Sequence, residues 1–448
     1  MIKTFIACLG RSYASAPSSY LSNFAGVQTT PLDNLVRVST SETGGKFTSV
    51  GVFVNAGSAF ETAENNGVSN LIANIAENET DVESGVTLST YINREQIGIV
   101  AHATSGSAAA VKSLKSAMNA IAEGKGIERQ KTRILNSLGD LDLTSPSVVY
   151  DHLHSVAFQG TPLSHPLTGT TSSISGLTGP SVSEFFKTHF TGNRVVVAGA
   201  GNVDHAALLD AANNSFSHLQ GNAEFDFGRL PEAEYTGSMV SVRDDDVTPV
   251  TIAIAMKGLS HSHKDYFTLK VIEKIIGNWN RQYGSSRESS LPFTNNVQEE
   301  GLSTASALHT FNLSYHATGL FGVLATTSRD TVEDLSYHVF KEFNRIASTV
   351  TSTEVNRAKQ KLKRELLSVS YGDSLSLCKD VGLQTARIGR YISPAEIGVR
   401  IDEITRSCVS NLAGEILTDQ CPAIAATGST IYLPDYNQMR GWTYWNRL

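Results

Sequence analysis

The stretch Lys46-Phe-Thr-Ser-Val-Gly-Val-Phe-Val-Asn-Ala-Gly57 is an apolar run, rich in β-branched residues, that ends in glycine. The stretch Asp246-Val-Thr-Pro-Val-Thr-Ile-Ala-Ile-Ala-Met-Lys-Gly258, 200 residues further along the chain, repeats that pattern. A short run of this kind, bounded by turn-forming residues, is typical of a buried strand. Because the pattern recurs, the sequence predicts two halves that are built alike.

A helical pattern follows each of these strands after a polar loop. Its apolar residues lie three and four positions apart, which is the spacing of one face of an α-helix. They are Val68, Leu71, Ile72 and Ile75 in the first half and Phe267, Val271, Ile272 and Ile275 in the second. Longer amphipathic stretches near 107–123 and 329–349 predict further helices, and 194–199 and 319–326 predict further strands.

These elements do not alternate steadily as βαβ units would. Their mixed order favours an α+β sandwich, in which helices pack on one face of a largely antiparallel sheet. Residues 218–238 are irregular and contain three glycines and a proline, so they predict a linker. The resulting division is a first half at 31–217, a linker at 218–238 and a second half at 239–448.

The composition excludes several classes of protein. With 36 basic and 43 acidic residues, the net charge is −7, and no basic field draws the chain to nucleic acid. No apolar run approaches the roughly 20 residues that a membrane-spanning helix needs. The four cysteines have no paired spacing, which favours reduced thiols over a disulfide framework. The sequence also lacks the clustered motifs that would predict a haem or an iron–sulfur cofactor.

The N-terminus differs from the rest of the chain. Residues 1–32 contain Lys3, Arg11 and many serines, and the first acidic residue is Asp33. A basic, serine-rich segment without acidic residues is typical of a mitochondrial targeting leader. We therefore assign residues 1–30 to such a leader, with an ordinary N-terminal arm as the alternative.

The segment Val54–Gly67 resembles the one that precedes the active-site helix of the pitrilysin-type metallopeptidases. In that family the helix carries H-x-x-E-H, whose two histidines bind zinc while the glutamate takes a proton from the bound water. A glutamate further along the chain completes the ligand set, and another glutamate seven residues before it supports the site. The resemblance implies two homologous α/β sandwich halves that form a bowl.

None of these family residues stands at the matching positions of this sequence. The positions are occupied by Asn70, Ala73, Asn74, Gln130 and Ser137. Amides are poor zinc ligands, and the methyl group of alanine cannot act as a general base. The first histidine in the chain is His102, so the first predicted helix supplies no imidazole. The expectation is a site that has lost its zinc, with no catalytic residue, no metal and no cofactor.

From about residue 30 onward, the chain resembles the mitochondrial processing peptidase and core-protein branch of this family. The matching segments are Phe185–Val197, Gly277–Gly284, Phe311–Gly322, Asp419–Ala423, Leu433–Asn437 and Trp445. The stretch 277–290 contains only two glycines, whereas non-catalytic α-subunits of the peptidase carry a dense glycine run there. The resemblance is therefore to the β-type lineage. The connection Glu77–Glu83 is shorter than in the family, which predicts an altered cleft wall.

A β-type member without its zinc ligands resembles core protein 1 of ubiquinol–cytochrome c reductase, respiratory complex III. That resemblance implies a structural subunit, peripheral to the mitochondrial inner membrane on the matrix side. It also implies a dimeric complex whose other members include a second core subunit, cytochrome b, cytochrome c1 and the Rieske subunit. The alternatives are a presequence-binding, non-catalytic subunit of a soluble processing peptidase and a peptidase that uses unrecognised ligands.

Three other polar groups could be interpreted as functional sites, but their sequence context favours a structural interpretation. His152 and His154 point in different directions on a helix and predict a packed pair rather than a chelate. His261 and His263 lie in a loop with one nearby carboxylate, which predicts a surface turn. The acidic run 244–246 precedes a strand, which predicts a solvated turn rather than a cation site.

Overall fold

The computed structural model describes most of the chain, namely residues 26–104, 106–217, 219–221, 233–283, 291–299, 305–371 and 373–444. These residues contain two six-stranded sheets, one in each half of the sequence. Within this part of the chain, no helix combines the length and the apolar character that a membrane crossing requires.

The first half contains six strands and seven helices among the described residues. The strands are β1 (Gln28–Pro31), β2 (Arg37–Glu42), β3 (Thr48–Val54), β4 (Val86–Ile92), β5 (Ile97–Ala103) and β6 (Val195–Gly201). The helices are α1 (Val68–Asn78), α2 (Ser107–Glu123), α3 (Ile127–Gly139), α4 (Pro146–Ala157), α5 (Thr171–Gly176), α6 (Gly179–His189) and α7 (His205–Phe216).

The second half contains six strands and eight helices among the described residues. The strands are β7 (Met239–Arg243), β8 (Pro249–Gly258), β9 (Asn278–Asn280), β10 (Ala307–Ser314), β11 (Gly319–Ser328) and β12 (Ala423–Gly428). The helices are α8 (Tyr266–Ile276), α9 (Pro292–Glu299), α10 (Val332–Thr349), α11 (Ser352–Tyr371), α12 (Ser374–Ile388), α13 (Pro394–Asp402), α14 (Arg406–Leu417) and α15 (Tyr436–Gly441).

The two sheets share one topology. The first has the order β1-β2-β6-β3-β5-β4, and the second has the order β7-β12-β8-β11-β10-β9. In both, one pair is parallel, β2 with β6 and β7 with β12, and the other pairs are antiparallel. Five strands therefore correspond one to one between the halves, with β1 and β9 as additional edge strands. The predicted duplication and the α+β class are confirmed.

Each sheet carries its main helix layer on one face. Val52 and Val197 of the first sheet lie in one buried cluster with Leu71 and Ile75 of α1 and Leu114 of α2. The second sheet forms the equivalent core, in which Ile252, Ile254 and Met256 lie in one cluster with Ile272 of α8 and Phe343 of α10. Full burial of such a side chain contributes about 2 kcal/mol, so these layers are the main source of stability in each half.

A helix from the other half covers the opposite face of each sheet. In the second sheet, Ala253 and Ala255 of β8 lie in one cluster with Val149 and Leu153 of α4, which belongs to the first half of the sequence. In the first sheet, Val196, Ala198 and Ala200 of β6 lie in one cluster with Leu377 and Val381 of α12, which belongs to the second half. The prediction of helices on one face was therefore incomplete, because both faces are buried.

Phe53 marks the closest approach of α12 to the first sheet. Its ring is fully buried and lies against three glycines, Gly51 of β3, Gly98 of β5 and Gly382 of α12. A Cβ atom on Gly382 would lie 2.2 Å from ring carbons of Phe53. The absence of a side chain at residue 382 is what allows the helix to pack directly on the ring.

The structure describes the ends of the predicted units only in part. Residues 28–30, which we assigned to the leader, lie in β1, and residues 1–25 lie outside the described part of the chain. The predicted linker at 218–238 is described only at 219–221 and 233–238, and Trp445 lies outside the described residues. β7 begins at Met239, where the second half was predicted to begin.

Candidate functional site

The two asparagines at the predicted zinc-ligand positions bond to each other and to the backbone. They lie one turn apart on α1, where the Nδ2 of Asn74 donates to Asn70 Oδ1 over 3.0 Å and to Asn70 O over 2.9 Å. The Nδ2 of Asn70 donates to Thr168 O over 3.3 Å. Hydrogen bonding within the protein therefore occupies these amides, and their donor set does not fit zinc.

The position of the family's general base is apolar. Ala73 is 1% exposed and belongs to the buried side of α1. Its methyl group carries no proton acceptor, so this position cannot activate a water molecule. The helix here contributes packing only.

Gln130 contacts Glu79, the residue that follows α1. It is buried on α3, and its Nε2 donates to Glu79 Oε1 over 2.5 Å, while Arg129 forms an ion pair with the same carboxylate. Burial would raise the pKa of Glu79, but the hydrogen bonds from Gln130 and Arg129 outweigh it and hold that pKa below its ordinary value. Glu79 therefore anchors α3 to the C-terminal end of α1.

Ser137 lies on α3 and donates its hydroxyl to Ile134 O of the same helix over 2.8 Å. The contacts between α1 and α3 run in antiparallel register, because Gln130 contacts Glu79 and Arg133 donates to Asn78. One further turn along each helix leads to Ser137 on α3 and to Asn74 on α1. Positions 70 and 74 thus lie on α1 and position 137 on α3, two helices that pack against each other, and they supply two amides and a hydroxyl.

Within the described residues, no group of three or more His, Cys, Asp or Glu side chains lies close enough to hold a metal ion. The three groups with an alternative functional interpretation have different surroundings. His154 is fully buried and contacts Tyr315 Oη at 2.6 Å, as expected for a packed residue. Arg243, the last residue of β7, forms an exposed ion pair with Asp245 in the turn that follows. His263 is exposed, as predicted for a surface turn. His261 lies in a turn as well, but it is only partly exposed and is among the residues that line a cavity.

Two glutamates, the buried Glu61 and the partly buried Glu95, were not anticipated from the sequence. Glu61 caps α1, because it accepts hydrogen bonds from the backbone nitrogens of Gly67 at 2.8 Å and Ser69 at 2.7 Å. Glu95, between β4 and β5, accepts one from the backbone nitrogen of His316 in the other half at 2.7 Å. The sequence offered a signal for Glu61, because this acidic residue stands shortly before the helical pattern. Nothing local signals Glu95, because its partner is 221 residues away.

Restoring the family residues tests whether the scaffold still holds the ligand geometry. We expect the triple variant Asn70→His/Asn74→His/Ser137→Glu to retain about one zinc per chain after dialysis, since two imidazoles one turn apart plus a carboxylate form a zinc site. The parent should retain none. Elemental analysis measures both.

The matched control for this test moves the carboxylate by one residue, in Asn70→His/Asn74→His/Asn136→Glu, because residue 136 points about 100° away on the same helix. Equal zinc in this control and in the triple variant would contradict the register of α3 against α1.

Comparison with known proteins matches both halves of the chain to one peptidase family. Residues 36–171 match the family model described as insulinase (peptidase family M16), and residues 176–362 match the one described as peptidase M16 inactive domain. The positions 70, 73, 74, 130 and 137 therefore all lie within the first match. This is the region of the family model that corresponds to α1 and α3.

Relatives match over nearly the whole chain. The mitochondrial-processing peptidase subunit beta of Dictyostelium discoideum is 33% identical over 96% of this chain and 94% of its own. The cytochrome b-c1 complex subunit 1 of Mus musculus is 31% identical over 94% of this chain and 90% of its own. Among solved structures, a chain of complex III2 from Candida albicans, with Inz-5 bound, superposes with a TM-score of 0.87 at 28% identity, covering 94% of this chain and 100% of that one. Both family models and these relatives assign the chain to peptidase family M16, and it belongs to that family.

Proposed function

We propose that this chain is a non-catalytic structural core subunit, of the core protein 1 type, of mitochondrial ubiquinol–cytochrome c reductase. The observation that carries the proposal is the whole-length similarity to a complex III chain, combined with the replacement of every zinc-site residue. Its function is to support the assembly and stability of the complex, at the inner membrane and on the matrix side. It carries no enzymatic activity of its own.

The partners follow from the same similarity. They are a second core subunit, cytochrome b, cytochrome c1 and the Rieske subunit, within a dimeric complex. The reciprocal packing of α4 and α12 supports this role, because it joins the two halves into one body that can present a fixed surface to other subunits. The sequence carries no motif for a haem or an iron–sulfur cluster, in agreement with a subunit that leaves electron transfer to its partners.

A second candidate is a non-catalytic, presequence-binding subunit of a soluble processing peptidase. The observation that favours it is that relatives from several organisms are named mitochondrial-processing peptidase subunit beta. These names describe peptidase subunits, however, and the zinc-ligand positions of this chain hold asparagine and serine. The complex III assignment therefore fits the residues better.

Purification of the tagged full-length chain from mitochondria separates the two candidates. After mild detergent extraction of the inner membrane, we expect the chain to co-elute with the haem absorbance of cytochromes b and c1, without zinc and without cleavage of presequence peptides. Recovery in the soluble matrix fraction, as a heterodimer with a zinc-containing subunit, would favour the second candidate. Chelator-sensitive peptide cleavage by the chain alone would contradict both.

A further inference from the structure

Two large apolar side chains are exposed side by side at one end of the second sheet. Ile431 is 50% exposed and Tyr432 is 55% exposed, in the turn between β12 and α15. In the described part of the chain, no other two exposed large apolar residues are adjacent in sequence. Single exposed apolar residues are ordinary on a protein surface, whereas grouped ones with a polar rim mark interaction sites. This pair, which we call the apolar tip, is therefore a candidate contact.

Hydrogen bonds fix the backbone on both sides of the apolar tip. Thr430, directly before it, is buried, and its backbone nitrogen donates to Gly428 O over 2.8 Å. The hydroxyl of Ser241 donates to Thr430 Oγ1 over 2.8 Å. The backbone nitrogen of Leu433 donates to Thr430 O over 3.1 Å, and Pro434 after it is buried. Because the turn is already ordered, a partner that binds there loses little free energy to ordering it.

Four neighbouring strands end or begin next to the apolar tip. Gly428, the last residue of β12, pairs with Arg243, the last residue of β7. Ser328, the last residue of β11, pairs with Pro249, the first residue of β8. The β7–β8 turn, the residues after β12 and the loop after β11 therefore share one surface.

This surface carries an excess of negative charge. Ser429, two residues before Ile431, donates its hydroxyl to Asp245 Oδ1 over 3.3 Å, which places the acidic β7–β8 turn beside the apolar tip. Gln438 of α15 donates to Glu333 Oε1 over 3.1 Å, which brings the acidic first turn of α10 to the same surface. The segments 243–248, 328–334 and 429–435 contain seven carboxylates, Asp244, Asp245, Asp246, Asp330, Glu333, Asp334 and Asp435, and two arginines, Arg243 and Arg329. Their formal charge is therefore −5.

Both arginines are already paired within the surface. Arg243 lies 2.6 Å from Asp245 Oδ2, and Arg329 Nε lies 3.5 Å from Asp330 Oδ1. The other five carboxylates form no ion pair with a described residue. A partner would therefore meet negative charge that the chain itself leaves unneutralised, around an apolar centre.

This charge decides among the candidate occupants of the surface. An anionic lipid surface would repel it, so insertion of the apolar tip into such a membrane is disfavoured. A second copy of this chain would place like charges opposite each other, which costs free energy. A protein that surrounds an apolar contact with basic residues matches both the tip and its rim.

We propose that this end of the second sheet is a docking site for a partner protein that presents a basic segment with an apolar centre. Ile431 and Tyr432 form the part of the contact that is buried, in keeping with the enrichment of tyrosine at the dominant positions of interfaces. The acidic rim selects and orients the partner. This site is independent of the complex III assignment, because that assignment names partner subunits but none of the surfaces that they contact.

Photo-crosslinking in mitochondria tests this site with the tagged full-length chain. In the variant Tyr432→benzoylphenylalanine, we expect one protein adduct, which mass spectrometry maps to a segment with a net positive charge. The control is Val399→benzoylphenylalanine, because Val399 is an apolar side chain that is 39% exposed on α13. The control should not reach the same segment.

A second measurement tests the acidic rim. Adding Asp245→Asn/Asp246→Asn to the crosslinking variant removes two charges and keeps the shape of both side chains. The adduct yield should fall by about threefold or more, and added salt should lower it without these changes, because salt screens exposed charges. The control Asp140→Asn/Asp142→Asn removes two exposed carboxylates from the first half and should leave the yield unchanged. Circular dichroism confirms that both variants are folded.

Four results would each overturn the docking site. The first is the absence of any protein adduct at residue 432, and the second is an adduct only with lipid or with another copy of this chain. The third is an adduct whose segment has no net positive charge. The fourth is an adduct yield that Asp245→Asn/Asp246→Asn leaves unchanged.

Discussion

Replacing Gly382 by alanine is expected to lower the free energy of unfolding by about 2–3 kcal/mol, the usual cost of overpacking a filled core. The added Cβ atom would lie 2.2 Å from the Phe53 ring, and that ring is already held by Gly51 and Gly98 on the other side. Helix propensity alone would favour alanine by about 1 kcal/mol, so a net loss reports the clash. Urea denaturation of the full-length chain measures it.

Gly414→Ala is the matched control, because Gly414 lies inside α14 and a Cβ atom there meets nothing within 4 Å. This variant should be more stable than the parent by up to about 1 kcal/mol. If Gly382→Ala were as stable as Gly414→Ala, α12 would not lie on the first sheet as the structure has it.

Replacing Glu95 by glutamine should stabilise the chain by about 3 kcal/mol at pH 8 and by only about 1 kcal/mol at pH 5. Burial raises the pKa of Glu95 to about 7, although the hydrogen bond from His316 and the charge of Arg387 oppose this. A glutamine can accept the same hydrogen bond from the His316 backbone. The variant therefore removes the charge but keeps the contact between the halves.

The direction of this pH dependence follows from the number of protons that the folded and the unfolded chain bind. Between the ordinary glutamate pKa of about 4.3 and about 7, the folded chain holds a proton on Glu95 that the unfolded chain has released, so the parent loses stability as the pH rises through this window. Urea midpoints of parent and variant from pH 5 to pH 8 should diverge. Glu64→Gln, which removes an exposed carboxylate, controls for net charge. Parallel curves for Glu95→Gln and the parent would contradict a neutral Glu95.

The local pattern of apolar residues was enough to predict a main strand and a main helix in each half. The first glycine-ended run becomes β3, the second becomes β8, and the residues with helical spacing become α1 and α8. The stretch 107–123 is α2 from end to end. These elements are long and strongly periodic, so their own residues determine their type.

Pairing over long distances could not be predicted in the same way. The apolar face of α4 shows that the helix must be covered, but not that the sheet that covers it begins about 80 residues later. His261 was assigned to a surface turn because its loop is polar, while other residues that line the same cavity, such as Arg387, are distant in sequence. The zinc-site positions, by contrast, were accessible to sequence comparison, because the family motif fixes their spacing on two helices.

The exchange of α4 and α12 between the halves has a consequence for biogenesis. α4 ends at Ala157, whereas β12, which completes the sheet beneath it, ends at Gly428. At a synthesis rate of about 5–20 residues per second, β12 is completed on the order of 15–50 s after α4. The first sheet likewise keeps one apolar face uncovered until α12 has emerged. A chain that ends before α12 therefore lacks the helix that buries this face.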